Sequence, residues 1–341
     1  MRAMVLEEYG KPLVLWDKPY PKPGWGEVTI KVEACGMCGT DIKIAAGKLP
    51  GTRVPVTMGH EPAGVVCEVG PGVTRLKEGD KVIAHFYVTC GKCEYCRSNR
   101  ESICRDLIGR VGFEVDGGYA EYLRLPETSF LKFPDNLNFE EASLLGDAIG
   151  TSYHALKTRG RMEPGDYVLI MGVGGVGLHT VQVAKALGGR VVGVDIDEEK
   201  LEVARQHGCD YTILYDRDTY VDKAREIAAS SYGYAVIVET VGTPDTMERN
   251  IKLLRPGGRL CIVGYLPGST FPVDPLMSLL DEIEILGSRA CSKNDLEAVM
   301  KLIEMGKIAP LVTRRFALEE VNEAMRILKE EKIIGRAVVI P

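Results

Sequence analysis

Gly172-Val173-Gly174-Gly175-Val176-Gly177 decides the reading of this chain. The run fits the spacing G-x-G-x-x-G, and its setting makes the fit informative. The apolar run Tyr167–Met171 precedes it, as a buried parallel strand would. A helix-like stretch from about Val176 to Leu187 follows and is closed by Gly188-Gly189. In such a strand–turn–helix the first glycine permits the tight turn, and the second lets a pyrophosphate approach the backbone. The third lets helix and strand pack closely. The helix N-terminus then presents free N–H groups to phosphate. Asp195 ends the next β run, Arg190–Asp195, eighteen residues past Gly177. A carboxylate there accepts both hydroxyls of a ribose and repels the additional phosphate of NADP. Together these features predict an NAD site. Asp197 reads instead as the N-cap of a helix over Glu198–His207.

The alternation continues downstream. Runs at Tyr211–Leu214, Ala235–Glu239, Arg259–Gly264 and Ile283–Gly287, with helical stretches between most of them, predict a six-stranded parallel sheet covered on both faces. Upstream the texture differs. Residues 1–150 are rich in Gly and Pro, and turn residues separate the β-prone runs Val28–Val32, Ala63–Val69 and Lys81–Phe86. This predicts an irregular, mostly β domain with long functional loops. After Ser288 come two helix-like segments and a terminal β run, Arg336–Ile340, expected to return to the first domain because the nucleotide sheet is complete at six strands. The expected division is 1–150 with 289–341 for one domain and 151–288 for the other.

A length of 341 residues suits two domains better than one core. The formal charge of −6 supplies no reason to expect a nucleic-acid partner. No apolar run approaches the roughly 18–20 residues needed to span a bilayer. The opening MRAMVLEEYG lacks the long apolar stretch of a secretion signal, so a cytoplasmic enzyme is expected. In that setting ten cysteines read as ligands or buried thiols before disulfides. Cys90, Cys93, Cys96 and Cys104 form C-x2-C-x2-C-x7-C, a spacing that lets four thiolates close around one structural zinc. Paired disulfides and an iron–sulfur cluster are the alternatives. Two-residue spacings suit disulfides poorly, and nothing else signals electron transfer. A second group combines Cys38-Gly39-Thr40-Asp41 with Gly59-His60-Glu61. A thiolate and an imidazole on two loops suit a zinc that keeps one position open for substrate. Cys35, which also makes C-x-x-C with Cys38, is expected to be a small buried residue.

The ordered set C-G-x-C-G-T-D, G-H-E-x-x-G, the four-cysteine lobe, G-x-G-x-x-G with Val194-Asp195, and the terminal Arg336-Ala337-Val338-Val339 resembles the zinc-containing medium-chain dehydrogenase/reductase family. That family includes alcohol, polyol and threonine dehydrogenases, and the resemblance covers nearly the whole chain. It implies an α/β fold: an irregular β-rich, GroES-like catalytic domain plus a doubly wound parallel-sheet Rossmann domain. It implies that Cys38 and His60 are ligands of a catalytic zinc, with Glu61 just behind the metal and able to swing in. Asp41 matches the carboxylate that orients the histidine ligand. Thr40 matches the hydroxyl that takes the substrate's proton, and Phe86 a pocket aromatic. Thr151 is placed beside the nicotinamide and Arg336 at the pyrophosphate. Lys200 joins Gly172, Gly174, Gly175, Val176, Gly177 and Asp195 among the cofactor-binding residues.

Two positions depart from the family pattern. Many relatives carry the third zinc ligand as cysteine or glutamate where this chain has Asp147. Aspartate preserves the charge balance of one thiolate, one carboxylate and a neutral imidazole against Zn²⁺, so Asp147 is expected to bind the metal, against a helix-cap alternative. Lys43 stands where many relatives pass the proton to solvent through a histidine, and lysine serves only if its pKa is depressed. The expected activity is reversible hydride transfer between an alcohol and NAD, with two zinc ions per chain and a homodimer or homotetramer. Simple primary or secondary alcohols are favoured over polyols, sugars or threonine. The rivals are a zinc-free enoyl or quinone reductase and a non-catalytic NAD sensor.

Overall fold

In the computed structural model of this chain, which describes residues 1–330 and 333–341, Tyr167–Met171 is a strand buried along its whole length. Its lack of alternation requires this, because a central parallel strand is covered on both faces. It lies in a six-stranded parallel sheet with Arg190–Asp195, Tyr211–Leu214, Tyr234–Glu239, Leu254–Ile262 and Glu284–Gly287. Numbered along the chain from Tyr167–Met171, the spatial order is 3-2-1-4-5-6. That is the doubly wound Rossmann order, with its switch point beside the first strand. Met171 pairs with Val194 on one side and Glu239 on the other, so the turns after all three strands leave the sheet at one level.

The three motif glycines do different things at that level. Gly172 sits at φ +85°, and a Cβ there would meet Thr240 Oγ1 at 2.6 Å. A Cβ on Gly177 would lie 1.9 Å from the carbonyl oxygen of Gly172, so only glycine lets the helix sit this close. Gly174, in contrast, has nothing within 4 Å of its would-be Cβ. The helix Gly175–Ala186 stops where Gly188 turns to φ +86°. The next helix, Glu198–Gln206, is capped by Asp197, whose side chain accepts the N–H of Glu199.

The described residues divide into two units, Met1–Asp147 with Ser292–Met300 and Pro310–Pro341, and Ala148–Cys291 with Lys301–Ala309. Lys301–Ala309 groups with the parallel sheet because Gln182 exchanges two hydrogen bonds with the backbone of Ala309, at 2.9 and 3.0 Å. The other unit is built on the long strand Glu27–Gly36. It pairs antiparallel with Glu61–Val69, Tyr122–Pro126 and Arg336–Ile340, within a seven-stranded sheet. The terminal strand therefore returns to the β-rich unit. Val28, Ile30 and Val32 alternate into its core with Val66, Val82, Leu123 and Leu125. Beyond the terminal strand lies an edge strand, Val312–Ala317, which the sequence reading lacks. Three consecutive residues of it, Thr313–Arg315, are exposed, so it carries no apolar period to read. Among the described residues no helix is long and apolar enough to cross a membrane.

These glycine environments predict unequal costs. Gly177→Ala must displace backbone and should destabilise by about 1–3 kcal/mol, whereas Gly174→Ala, at an ordinary φ with open space, should cost about 1 kcal/mol or less. Thermal melts of the two variants, with Gly177→Ala clearly the less stable, check the assignment.

Candidate functional site

Cys38 follows the strand Glu27–Gly36 and occupies the N-cap position of the helix Gly39–Ala45. His60 immediately precedes the strand Glu61–Val69, whose first residue pairs with Gly36. That register brings two sequence-distant loops together. One donor atom each from Cys38, His60, Glu61 and Asp147 lies within 4.8 Å of all the others. His60 Nδ1 is 2.9 Å from Asp41 Oδ1, and Nε2 is 3.7 Å from both Glu61 Oε1 and Asp147 Oδ2. The geometry assigns the proton to Nδ1, donating to Asp41, and leaves the Nε2 lone pair facing the other donors.

Asp41 is itself held. Its Oδ2 accepts the backbone N–H of Cys38 and the hydroxyl of Tyr119, each at 2.9 Å. Tyr119 is missing from the sequence reading, since nothing local marks a tyrosine that must reach 78 residues back. Phe86 stands edge-on to the His60 ring at 5.4 Å, and Phe113, also unforeseen, at 5.9 Å. Thr40 is partly exposed in the first turn of the helix Gly39–Ala45, with Lys43 one turn later. Burial lowers the Lys43 amine, with the Cys38 charge acting in the opposite direction. Cys35 is wholly buried beside the cluster, and burial raises its thiol well above the ordinary range.

Asp147 lies in the π-helical turn Leu145–Ile149, inside a helical run that begins at Phe139. Asn138 already caps that run, accepting the N–H of Glu141. Wide π turns of this kind re-aim single side chains and recur at functional sites.

Glu61 and Arg336 form a second buried layer. The guanidinium pairs with Glu61 Oε1, and Arg336 is only 3% exposed. Glu61 Oε2 and Arg336 Nε are buried without a hydrogen-bond partner among the described residues. A Cβ on Gly36 would lie 2.5 Å from Glu61 Oε2, so the glycine makes room for this carboxylate. Burial pushes the Glu61 carboxyl up to about 7, with Arg336 pulling it back. Burial also opposes charge on His60, but Asp41, Asp147 and Cys38 outweigh it and hold the imidazole well above its usual range. Arg336 matches the charge of Glu61, and a cation taking the place of the proton at His60 Nε2 would meet the Cys38 sulfur, the Asp147 carboxylate and an imidazole. That donor set fits Zn²⁺ in charge and in kind.

The four-cysteine lobe fits a closed site. Cys90–Cys104 and Cys93–Cys96 sulfurs are 3.5 Å apart, and Cys90–Cys96 and Cys93–Cys104 are 3.9 Å apart. A tetrahedron with Zn–S bonds of about 2.3 Å has edges of about 3.8 Å. Backbone N–H groups of Cys96 and Arg105 hold the Cys93 thiol down at about 6. Burial, with the neighbouring thiols, pushes Cys96 up to about 12. Four sulfurs this close cannot all ionise without a cation among them.

In the parallel-sheet unit, Asp195 accepts the N–H of Val173 at 2.8 Å and of Asp197 at 3.2 Å, which ties the carboxylate to the glycine turn. Lys200 and Thr151 are both buried, in the helices Glu198–Gln206 and Gly150–Tyr153. Glu239, unremarked in the sequence, accepts the N–H groups of Val241 and Gly242 and the amide of Asn250. It thereby braces the loop that faces Gly172. The only sequence signal for it is an acid ending an apolar strand.

Comparison with known proteins extends these observations to the whole chain. Residues 24–135 match the family described as alcohol dehydrogenase GroES-like domain, and residues 175–305 match zinc-binding dehydrogenase. The chain is similar to an alcohol dehydrogenase of Geobacillus stearothermophilus, at 39% identity over 341 residues and 99% of each chain. It is also similar to an acryloyl-coenzyme A reductase of Sulfurisphaera tokodaii, at 34% identity over all of both. The crystal structure of the alcohol dehydrogenase from Aeropyrum pernix superposes with a TM-score of 0.91 at 34% identity, covering 100% of both chains. Related end to end in fold and in sequence to such enzymes, this oxidoreductase belongs to the zinc-containing medium-chain dehydrogenase/reductase family.

Proposed function

We propose that the chain is a zinc-dependent, NAD-linked dehydrogenase that interconverts a simple primary or secondary alcohol and its carbonyl, acting as a homo-oligomer. The observation that carries this reading is the convergence of Cys38, His60, Glu61 and Asp147 donor atoms within 4.8 Å. Cys38, His60 and Asp147 would hold the catalytic zinc, with Glu61 behind it, and the four cysteines a structural zinc. Zinc supplies Lewis acidity that makes a substrate hydroxyl easier to deprotonate, and NAD accepts or returns the hydride.

The chain's own residues do the rest. Thr40 Oγ1 would accept the proton of the substrate hydroxyl while passing its own proton on. Lys43, whose amine burial already lowers, carries it onward from the same helix face. Asp41 keeps His60 in the tautomer that turns Nε2 to the metal. Phe86 excludes water beside the imidazole. Gly174 leaves room for the pyrophosphate, and the remaining lone pairs of Asp195 bind the ribose hydroxyls. Lys200 and Thr151 complete the cofactor contacts in this reading, and Arg336 neutralises Glu61.

The acryloyl-coenzyme A reductase among the relatives favours a second reading, reduction of a C=C bond conjugated to a thioester. That reaction puts hydride on carbon without acting on a hydroxyl, and it has no use for a buried thiolate–imidazole–carboxylate cluster. NADH absorbance followed with a panel of alcohols plus NAD, and with acryloyl-CoA plus NADH, decides between them. Turnover of the thioester with no alcohol oxidised would overturn the alcohol reading.

Metal analysis of protein purified without chelator should return two zinc equivalents. Asp147→Asn should lose one of them and nearly all turnover while keeping fold and NADH binding, because an amide is a poor zinc ligand. Cys93→Ser should instead lose the other equivalent and lower the melting temperature by about 5 °C or more. Full zinc and near-normal turnover in Asp147→Asn would remove Asp147 from the ligand set.

NAD should be preferred over NADP by about ten- to a few-hundredfold in kcat/KM, the range that one carboxylate–phosphate repulsion supplies. Asp195→Ser should narrow the ratio sharply. Equal use of both cofactors by the wild type would show that Asp195 does not face the ribose.

A further inference from the structure

The segment Gly117–Tyr119 runs beside Thr57–Gly59, the residues that lead into His60. Gly117 N–H donates to Thr57 O at 2.8 Å, Gly118 N–H to Gly59 O at 2.7 Å, and Tyr119 N–H to Met58 O at 2.8 Å. The crossing is too tight for side chains. A Cβ on Gly117 would lie 2.1 Å from Gly59 O, and one on Gly59, itself at φ +92°, would lie 2.5 Å from Tyr119 Cδ1. The Tyr119 ring therefore rests on the residue immediately before His60, fully buried, with its hydroxyl 2.9 Å from Asp41 Oδ2.

Asp41 distributes its bonds by oxygen. Oδ2 takes Tyr119 and the Cys38 N–H, and Oδ1 faces His60 Nδ1 at 2.9 Å. Two donors on Oδ2, arriving from different segments, fix the plane of the carboxylate. Without the phenol, Oδ2 keeps only the Cys38 N–H, and the carboxylate can turn about the line between that contact and His60 Nδ1. The buried phenol in turn donates to this carboxylate, so its own hydroxyl is satisfied by the group it positions.

We propose that Tyr119 is a positioning residue, which sets the Asp41 carboxylate through its hydroxyl and thereby aims His60 Nε2 as a metal ligand. The inference rests on the reading of Cys38, His60 and Asp147 as a zinc site. Tyr119→Phe keeps the ring on Gly59 and removes only the hydroxyl. Zinc retention by the whole protein is measured against a competing chelator. The visible spectrum after cobalt(II) replaces the catalytic zinc reports the ligand geometry. Tyr119→Phe should lose the catalytic zinc roughly tenfold more readily, at the lower end of what partners of ligands are worth. Its cobalt spectrum should shift, while the four-cysteine zinc and NADH binding stay as in wild type. In an Asp41→Asn background the added Tyr119→Phe should change retention by less than about twofold, because both act through one carboxylate. Wild-type retention in Tyr119→Phe, full additivity with Asp41→Asn, or parallel loss of NADH binding would each overturn the positioning role. A wild-type protein that holds a single zinc, in the four-cysteine lobe, would overturn the zinc-site reading beneath it.

Discussion

The register that sets Gly36 opposite Glu61 on one side and opposite Val338 on the other is the constraint on which the β-rich unit depends. It places the start of one strand, the end of another and the chain's terminal strand at one point. Cys38 lies two residues beyond that point on the first strand's exit. His60 lies one residue before it, and Arg336 two residues before Val338. A slip of one residue would send every side chain of the slipped strand to the opposite face. The Glu61–Arg336 pair opposes such a slip. Both groups are buried, and separating them leaves an uncompensated charge, a cost of about 3–5 kcal/mol. The absent side chain at Gly36 is part of the same device, because the carboxylate occupies the space a Cβ would take.

The parallel-sheet unit solves a similar problem with acids at strand ends. Asp195 and Glu239 terminate the strands on either side of Tyr167–Met171, and each accepts backbone N–H groups from a turn at that level. Asp195 holds the glycine turn itself through Val173. Glu239 holds the loop whose Thr240 hydroxyl donates to Met171 O and Gly172 O. Flexible glycine backbone at the switch point is thus braced from both neighbouring strands. That arrangement fixes the backbone of the glycine turn before any ligand arrives.

The two candidate metal centres are built on contrasting physics. The four cysteines sit within one short loop, only partly buried, and backbone N–H groups lower the Cys90 and Cys93 thiols. Four soft donors at tetrahedral spacing leave no position for a substrate. The other cluster is buried but for a partly exposed Asp147, draws on three separate segments, and mixes sulfur, imidazole and carboxylate oxygen. Its geometry is maintained by groups that do not face the metal position at all: Asp41 behind His60, and Tyr119 behind Asp41. A site assembled from distant segments needs such support, since no local turn fixes the angle at which the donors meet.

Local features of the chain were legible without any structure. The glycine turn announces itself because strand, turn and helix are contiguous and each glycine answers a separate steric demand. Asp197 reads as a cap because its partner is two residues away. The four-cysteine lobe reads as metal because its ligands span fifteen residues. Cys38 and His60 offer a thiol and an imidazole whose separate fragments say little by themselves, and Asp147 became a candidate only through resemblance. Only the tertiary structure placed Glu61 against Arg336, 275 residues apart, and Tyr119 against Asp41, 78 apart. It alone set Asp147 inside a π turn, with a carboxylate oxygen 3.7 Å from His60 Nε2. The edge strand Val312–Ala317 was invisible because its side chains face solvent and carry no period. The division follows the range of the interaction. Steric and capping demands act between near neighbours and leave a pattern in the sequence, whereas a buried pair or a hydrogen-bonded relay depends on strand register, which no single segment records.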